Sequence, residues 1–324
     1  MIQKKRYLLF ILVLFACSVN ARQVAYTSGD SVKIVRLLSK VKELPAGKSK
    51  MVFLGKLFLG VPYVANTLEN GKKEQLVVNL HELDCTTFVE TITALTLASE
   101  KENPCFDDFT KVLLSIRYRN GELNGYVSRL HYFSDWIQSN VSKGLMEDVT
   151  KERGTSSVVL NPFFMSTHAD KYPRLKNNIS EVEKIKEAER SLQGKNIRYF
   201  AKADLNNPEI VHHIKDGDII AIVTNIKGLD IAHVGIATYE NGELHLLHAS
   251  SKHMKVVVEG VNLYTQLLNN KTQTGIRVIR IKQVHTFHSK RKDVFSETCR
   301  RFKKNVVTSF YNQEVEKEER VSST

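Results

Sequence analysis

The chain has 324 residues, 42% of them hydrophobic, which is enough apolar material for a full core in one large domain or two modest ones. Lysine and arginine outnumber aspartate and glutamate by 47 to 35, so the formal net charge is +12. These basic residues are scattered and follow no helix-turn-helix or zinc-finger spacing, which argues against a nucleic acid partner. We expect instead a peripheral attraction to an anionic wall or membrane surface.

The amino terminus is typical of a signal peptide, which we assign to residues 1–21. Lys4-Lys5-Arg6 precedes an apolar run over residues 7–16, and Val19-Asn20-Ala21 offers small residues where a signal peptidase cuts. The run is too short to span a bilayer. We therefore expect a periplasmic or secreted protein. A lipoprotein anchored through Cys17 is the weaker alternative, because Phe15 stands where a lipobox normally carries a small residue.

Apolar periodicity predicts two long helices in the first third of the chain. One covers residues 30–44. The other begins at Cys85, because the apolar residues after it recur at near-helical spacing, namely Phe88, Val89, Ile92, Leu95 and Leu97. Unpaired backbone N–H groups and the helix dipole favour an anion at a helix start, so we expect a lowered thiol pKa and a reactive thiolate.

The number of cysteines also points to Cys85. Once Cys17 leaves with the signal peptide, Cys85, Cys105 and Cys299 remain, and this odd number leaves at least one thiol unpaired in an oxidising compartment. We interpret Cys105 as a small buried hydrophobe, and Cys299 lies in a charged tail without a histidine nearby in sequence. His81 precedes Cys85 by four residues, but no second ligand pair with zinc-like spacing occurs, so no metal and no cofactor are expected.

Short apolar strands are predicted over residues 218–223, 231–237, 243–249 and 276–281, with Asn241-Gly242 as a tight hairpin turn. The hairpin places His233 and His248 on adjacent antiparallel strands, where they can lie side by side. A cysteine nucleophile needs a base and a group that orients the base, and the two histidines can supply both.

These elements predict an α+β fold with amino-terminal helices packed on a mostly antiparallel sheet from the carboxy-terminal half. Helical segments such as 181–192 are expected as insertions around a cleft between the Cys85 helix and the sheet. We assign residues 22–283 to one catalytic domain. Residues 284–324 form a charged tail, which we expect to be disordered or a solvated helix.

Four segments in order resemble the NlpC-type papain-like cysteine hydrolases, which cut amide bonds in the peptide part of peptidoglycan. They are Gly60-Val61-Pro62-Tyr63-Val64, Asp84-Cys85-Thr86, His233-Val234-Gly235-Ile236 and His248-Ala249-Ser250. The resemblance implies a papain-like core with Cys85, His233 and His248 as catalytic residues. It also implies that Tyr63 and Asp84 lie near the thiol as oxyanion or substrate residues.

A narrower resemblance is to the N-acetylmuramoyl-L-alanine amidase-like branch of Gram-negative bacteria. It covers most of residues 25–282 and rests on segments 117–121, 128–136, 164–168 and 228–230. It implies hydrolysis of the bond between the lactyl group of muramic acid and L-alanine, with a preference for small 1,6-anhydro-muropeptides. Thr86 departs from the usual serine, and Ala65-Asn66 stands where relatives carry Trp-Gly or Gly-Gly, so the groove floor can differ.

The segment 118–136 is polar and aromatic in a way that core packing does not require. Aromatic faces suit sugar rings, and arginine suits carboxylates, so we predict substrate contacts from Arg119, Arg129, His131, Tyr132 and Asp135, and also from His168. The expected partners are peptidoglycan fragments, bound by a monomer. Two alternatives stay open, namely an endopeptidase cutting between D-glutamate and the diamino acid, and a non-catalytic wall-binding module.

Overall fold

The computed structural model describes residues 24–69, 71 and 73–282. The predicted signal peptide and the predicted tail lie outside this part of the chain, as do Cys17 and Cys299. Within the described part, no helix combines the length and the apolar composition that a membrane crossing requires.

Helices dominate the amino-terminal half and also surround the sheet. In the described residues they are α1 (Ser28–Val41), α2 (Lys50–Lys56), α3 (Cys85–Ala98), α4 (Phe106–Arg117), α5 (Phe133–Ser142), α6 (Thr150–Arg153), α7 (Phe164–Thr167), α8 (Ile179–Leu192), α9 (Pro208–Val211) and α10 (Leu263–Leu268).

The helix predicted over residues 30–44 is α1, which begins two residues earlier. Its start is set by a capping box, in which the Thr27 hydroxyl accepts from the Asp30 N–H at 3.1 Å and the Asp30 carboxylate accepts from the Thr27 N–H at 2.9 Å. The second Asp30 oxygen accepts from the Leu80 N–H at 2.9 Å. This bond ties α1 to the segment that leads into Cys85.

The main sheet has eight strands, and every pairing in it is antiparallel. The order is β4-β5-β10-β6-β7-β8-β9, with β3 also paired to β10. The strands are β3 (Met146–Asp148), β4 (Ser156–Val159), β5 (Asn196–Ala201), β6 (Ile219–Thr224), β7 (Ile231–Glu240), β8 (Glu243–Ser250), β9 (Lys255–Val258) and β10 (Gln273–Ile281). Two further strands, β1 (Val24–Ala25) and β2 (Leu76–Val77), form a small parallel pair. The α+β prediction and its four strands are confirmed.

The central strands are covered on both faces, which explains why β6 is apolar throughout. Because side chains alternate along a strand, Ile219, Ala221 and Val223 enter one hydrophobic cluster, and Ile220 and Ile222 enter another. The first cluster holds the apolar residues of α1 to α4, and α3 is buried nearly all round between α4 and the β7–β8 hairpin. The second holds Leu263 and Leu267 of α10.

A helical insertion formed by α7 and α8 is anchored at a buried carboxylate. Glu189 Oε1 accepts from the Tyr132 hydroxyl at 2.7 Å and from the Ser166 N–H at 3.0 Å. Helix α8 confirms the helix predicted over residues 181–192 and begins two residues earlier. It packs beside the cleft described below.

Candidate active site

Cys85 is the first residue of α3, as the sequence predicts. Asp84 is the N-cap, and its carboxylate accepts from the Thr87 N–H at 2.7 Å, while the Thr87 hydroxyl accepts from the Asp84 N–H at 2.9 Å. This reciprocal pair fixes the turn that presents the thiol. Asp84 thus acts as a helix cap with its carboxylate directed to Thr87, and the substrate or oxyanion role that the sequence resemblance implies stays a prediction.

The two histidines meet on the β7–β8 hairpin. Asn241 and Gly242 both have positive φ angles, 52° and 86°, as a two-residue hairpin turn requires. His233 Nε2 lies 2.6 Å from His248 Nδ1, and the two rings are nearly perpendicular at 89°. The side-by-side placement predicted from the strands is therefore observed.

Two local irregularities make room for this pair. In β6 and β7, Ile222 pairs with His233 but Val223 pairs with Ile231, so Ala232 is an extra residue that forms a β-bulge. The register also brings Gly235 alongside His248, where an added Cβ would lie 3.0 Å from the His248 Cβ. The same Cβ would lie closer still to Leu246, 2.8 Å from its Cγ and Cδ1, so a larger residue at position 235 would crowd Leu246 as well as the second histidine.

Cys85 and His233 line the same open cavity of about 200 Å³. The remaining wall comes from the loop after Tyr63, the segment before α5, the α7–α8 insertion and the start of β7. Those residues are Asn66, Glu69, Thr86, Tyr126, His131, Tyr132, Phe133, Met165, Tyr172, Leu229, Asp230, Ile231, Ala232 and Val234.

Cys85, His233 and His248 are all uncharged at neutral pH when no substrate is bound. Burial and then the Asp84 carboxylate raise the pKa of the Cys85 thiol to about 12, although N–H groups of Val234 and Thr86 oppose the shift. Burial, followed by the neighbouring histidine, lowers the pKa of His233 to about 3, and burial lowers the pKa of His248 to about 4. The predicted lowering of the thiol pKa by the helix start is thus wrong, because desolvation outweighs it.

Of the two cysteines in the described part of the chain, Cys85 has a free thiol and Cys105 is disulfide-bonded. The interpretation of Cys105 as a plain buried hydrophobe is therefore corrected.

We expect iodoacetamide to label Cys85 slowly at neutral pH in the substrate-free protein. Because the folded pKa lies above that of an exposed thiol, the thiolate fraction should keep rising with pH and show no plateau near neutrality. Peptide mass spectrometry can follow Cys85 alone, with urea-unfolded protein as the control that reacts faster. A rate plateau below pH 7 would instead indicate a preformed thiolate–imidazolium pair.

Tyr63 lies beside the thiol. Its backbone forms a bridge to Leu83, two residues before Cys85, and burial, then Cys85, then Asp84 raise its pKa to about 12. The phenol is therefore a neutral hydrogen-bond donor, which is the form needed to stabilise an oxyanion.

His131 and Tyr132 are the two predicted substrate-binding residues that reach the cavity wall. His131 Nε2 lies 2.9 Å from the Tyr126 carbonyl oxygen, so Nε2 carries the proton and Nδ1 is left as an acceptor. Burial, followed by Arg129, lowers the pKa of His131 to about 3, so the ring stays neutral. The Tyr132 hydroxyl is used to hold Glu189.

Arg129 does not line the cavity, contrary to the sequence prediction. It is 8% exposed, and its guanidinium lies 3.0 Å from Glu69 and 2.9 Å from Glu74. Glu74 also accepts from the buried Tyr118 hydroxyl at 2.8 Å. Arg129 is therefore the centre of a buried ion-pair network that supports Glu69, a residue of the cavity wall.

Three further predicted contacts lie outside the cavity wall. Arg119 and Asp135 bind each other through two hydrogen bonds of 2.6 and 3.2 Å. His168 stacks on Phe164 with ring centroids 4.3 Å apart, and its Nδ1 lies 2.9 Å from the Phe164 carbonyl oxygen. These side chains stabilise the frame around the cleft, and their contact with substrate stays a prediction.

Sequence reasoning missed Glu69 of the wall and also Glu259, which lies 3.4 Å from His248 Nε2. Tyr126 and Asp230 of the wall lie in segments 118–136 and 228–230, to which the sequence already draws attention. Glu259 directly follows three valines, and a carboxylate at the end of an apolar strand is the signal that could have drawn attention to it. Glu69 carries no comparable signal, because it lies in an irregular segment.

The chain is similar in sequence and fold to several proteins of known structure. An N-acetylmuramoyl-L-alanine amidase from Bacteroides uniformis is 46% identical, covers 72% of this chain and 98% of its own, and superposes with a TM-score of 0.70. A Bacteroides fragilis protein named as a candidate xylanase is also 46% identical, with 71% and 100% coverage and a TM-score of 0.69. A Legionella pneumophila protein of family DUF1460, 24% identical, shares the fold with a TM-score of 0.60 over 79% of this chain and 95% of its own.

No curated protein is significantly similar to the chain. Residues 53–276, however, match the AmiA-like family, described as N-acetylmuramoyl-L-alanine amidase-like. This match spans well over half of the sequence and includes Cys85, His233 and His248. The chain therefore belongs to the N-acetylmuramoyl-L-alanine amidase-like family.

Proposed function

We propose that this protein is a cysteine-dependent N-acetylmuramoyl-L-alanine amidase with a papain-like NlpC-type core. Its family and its amidase-named relatives support a peptidoglycan amide hydrolase. The cysteine mechanism is supported by the presence of Cys85 and His233 in one cavity. His248 supports it too, because its Nδ1 lies 2.6 Å from Nε2 of His233, the proposed base. The substrate is a small 1,6-anhydro-muropeptide, and the scissile bond joins the lactyl group to L-alanine.

In the first step, Cys85 Sγ attacks the lactyl carbonyl carbon as neutral His233 accepts the thiol proton. Because both groups are uncharged at rest, the proton moves during the attack rather than before it. The Cys85 backbone N–H at the start of α3 and the Tyr63 hydroxyl stabilise the oxyanion.

In the second step, the His233 imidazolium protonates the L-alanine nitrogen, the C–N bond breaks, and a thioester remains on Cys85. Water then enters, His233 accepts its proton, and hydrolysis of the thioester releases the lactyl carboxylate and restores the thiol. His248 keeps the His233 ring in position throughout both steps.

The cavity wall supports a polar substrate of limited size. The Nδ1 acceptor of His131 suits a sugar hydroxyl or peptide N–H, and the rings of Tyr126 and Tyr172 suit the apolar face of a sugar. An insertion wall formed by α7 and α8 closes one side of the cleft. A cleft closed in this way favours soluble fragments over cross-linked wall.

The direct test is digestion of a defined 1,6-anhydro-disaccharide tetrapeptide, followed by mass spectrometry. We expect intact tetrapeptide and free disaccharide. A disaccharide dipeptide would instead identify a γ-D-glutamyl-diamino-acid endopeptidase. Tight binding without cleavage would identify a wall-binding module. Xylan is incubated with the protein in parallel as a control for glycosidase activity, and we expect it to stay intact.

We also propose that the protein is exported to the periplasm or secreted, on the strength of the basic and apolar segment at residues 1–21. Export places the enzyme where peptidoglycan fragments are released. A mature protein that begins at Arg22 by intact-mass measurement supports this, and an acyl group on Cys17 would contradict it.

A further inference from the structure

A third titratable residue stands behind the two histidines. Glu259 follows β9, and its Oε2 lies 3.4 Å from Nε2 of His248, a nitrogen that is buried and has no hydrogen bond within the described residues. The side chain of Glu259 is 11% exposed and that of His248 is 4% exposed. The Glu259 carboxylate is therefore the polar group that faces His248 Nε2.

Other contacts hold this carboxylate in place. Glu259 Oε1 accepts from the Gly260 N–H at 3.2 Å and lies 3.3 Å from His253 Nε2. The Glu259 backbone carbonyl lies 2.9 Å from His245 Nδ1. Burial raises the pKa of Glu259, but the contacts with His253 and Gly260 outweigh it and leave the pKa below its ordinary value. At neutral pH the group is a carboxylate, which only accepts hydrogen bonds.

The carboxylate determines where the histidine protons lie. Because Glu259 can only accept, Nε2 of the neutral His248 ring carries the proton and Nδ1 carries a lone pair. That lone pair lies 2.6 Å from His233 Nε2, so His233 must donate there. The remaining nitrogen of His233, Nδ1, is then left without a proton and can act as a base.

We propose that Glu259 is a positioning residue that sets the direction of the hydrogen-bond chain from His233 through His248. The proposal deepens the function given above and rests on His233 being the base that serves Cys85. Without the carboxylate, the chain can reverse: His248 Nδ1–H donates to His233 Nε2, and His233 Nδ1 holds the proton. A base in that tautomer cannot accept the thiol proton.

Glu259→Gln and Glu259→Ala test the proposal, and Glu259→Asp is the conservative variant. We expect kcat on the anhydro-disaccharide tetrapeptide to fall by about 10- to 100-fold with little change in KM, by analogy with the loss seen when the group that orients a metal-binding imidazole is removed. Glu259→Asp should recover part of the rate. The matched control is Glu243→Gln. Glu243 is an exposed carboxylate at the start of β8, the strand that carries His248, and its replacement should leave kcat unchanged.

A spectroscopic readout separates positioning from general damage. In ¹⁵N-histidine-labelled wild type, His233 and His248 should both be Nε2–H tautomers, and Glu259→Gln should shift part of the His248 population to Nδ1–H. Circular dichroism checks the fold of each variant. If Glu259→Ala unfolds, the nearly isosteric Glu259→Gln still decides the matter. Unchanged tautomers, or a kcat within twofold of wild type, would overturn the proposal.

The NMR measurement needs no turnover, so the two proposals can fail separately. Wild-type protein that cuts no muropeptide, together with a tautomer shift in Glu259→Gln, rejects the proposed function and retains the hydrogen-bond chain. Wild-type cleavage with unaffected Glu259 variants retains the function and rejects the role of Glu259.

Discussion

Replacing Cys85 with alanine is expected to lower the release of free tetrapeptide by at least about 10⁴-fold, the scale seen when a catalytic nucleophile is removed. The variant loses the sulfur that attacks the lactyl carbon in the first step of the proposed mechanism. His233→Ala should cause a loss of similar size, because the neutral thiol then has no acceptor for its proton. Mass spectrometry of the products measures both rates.

The double variant is the sharpest control for this prediction. Residues that act as one unit are not additive, so Cys85→Ala combined with His233→Ala should be no slower than Cys85→Ala alone. Cys85 is partly buried and its Sγ lies 4.0 Å from the Thr86 hydroxyl oxygen, a weak contact, so circular dichroism and the melting temperature should stay close to wild type. Near-wild-type turnover by purified Cys85→Ala would reject the cysteine mechanism.

The placement of His233 and His248 on neighbouring strands could be predicted because that part of the geometry is determined locally. The Asn241-Gly242 turn fixes the β7–β8 register, which places His233 and His248 on adjacent strands, two residues apart in register. The bulge at Ala232 and the small Gly235, which is the residue opposite His248, were not predicted from the sequence. The start of α3 is local as well, since Asp84 and Thr87 are three residues apart. Alternation and capping are properties of short segments, so they can be read without knowledge of the tertiary fold.

The electrostatic state of the site could not be predicted in the same way. The thiol pKa depends on burial under β7 and on the Asp84 carboxylate, and the helix start gives no measure of either. Arginine is a residue type that binds carboxylates, which is why the sequence predicts that Arg129 contacts substrate. The carboxylates that Arg129 binds are those of Glu74 and Glu69, which lie 55 and 60 positions earlier in the chain. Only the tertiary fold shows that Glu69 and Glu74 occupy its guanidinium.

The buried network predicts a second large effect, this time on stability. Arg129→Ala should lower the free energy of unfolding by about 3–5 kcal/mol, because it leaves two carboxylates in a buried site without their cation. Glu74 is 8% exposed and also holds the Tyr118 hydroxyl, so it cannot turn outward to water. Chemical denaturation in urea measures the loss.

Arg119→Ala is the matched control, because it removes the same kind of side chain from the same segment. Its pair with Asp135 is partly exposed, with 37% of the Arg119 side chain accessible, so the expected cost is under about 1 kcal/mol. Arg129→Ala should also slow disaccharide-containing and sugar-free substrates alike, since it disturbs the wall through Glu69. If Arg129→Ala keeps full stability and selectively slows the disaccharide-containing substrate, Arg129 contacts the sugar directly and the scaffold role is rejected.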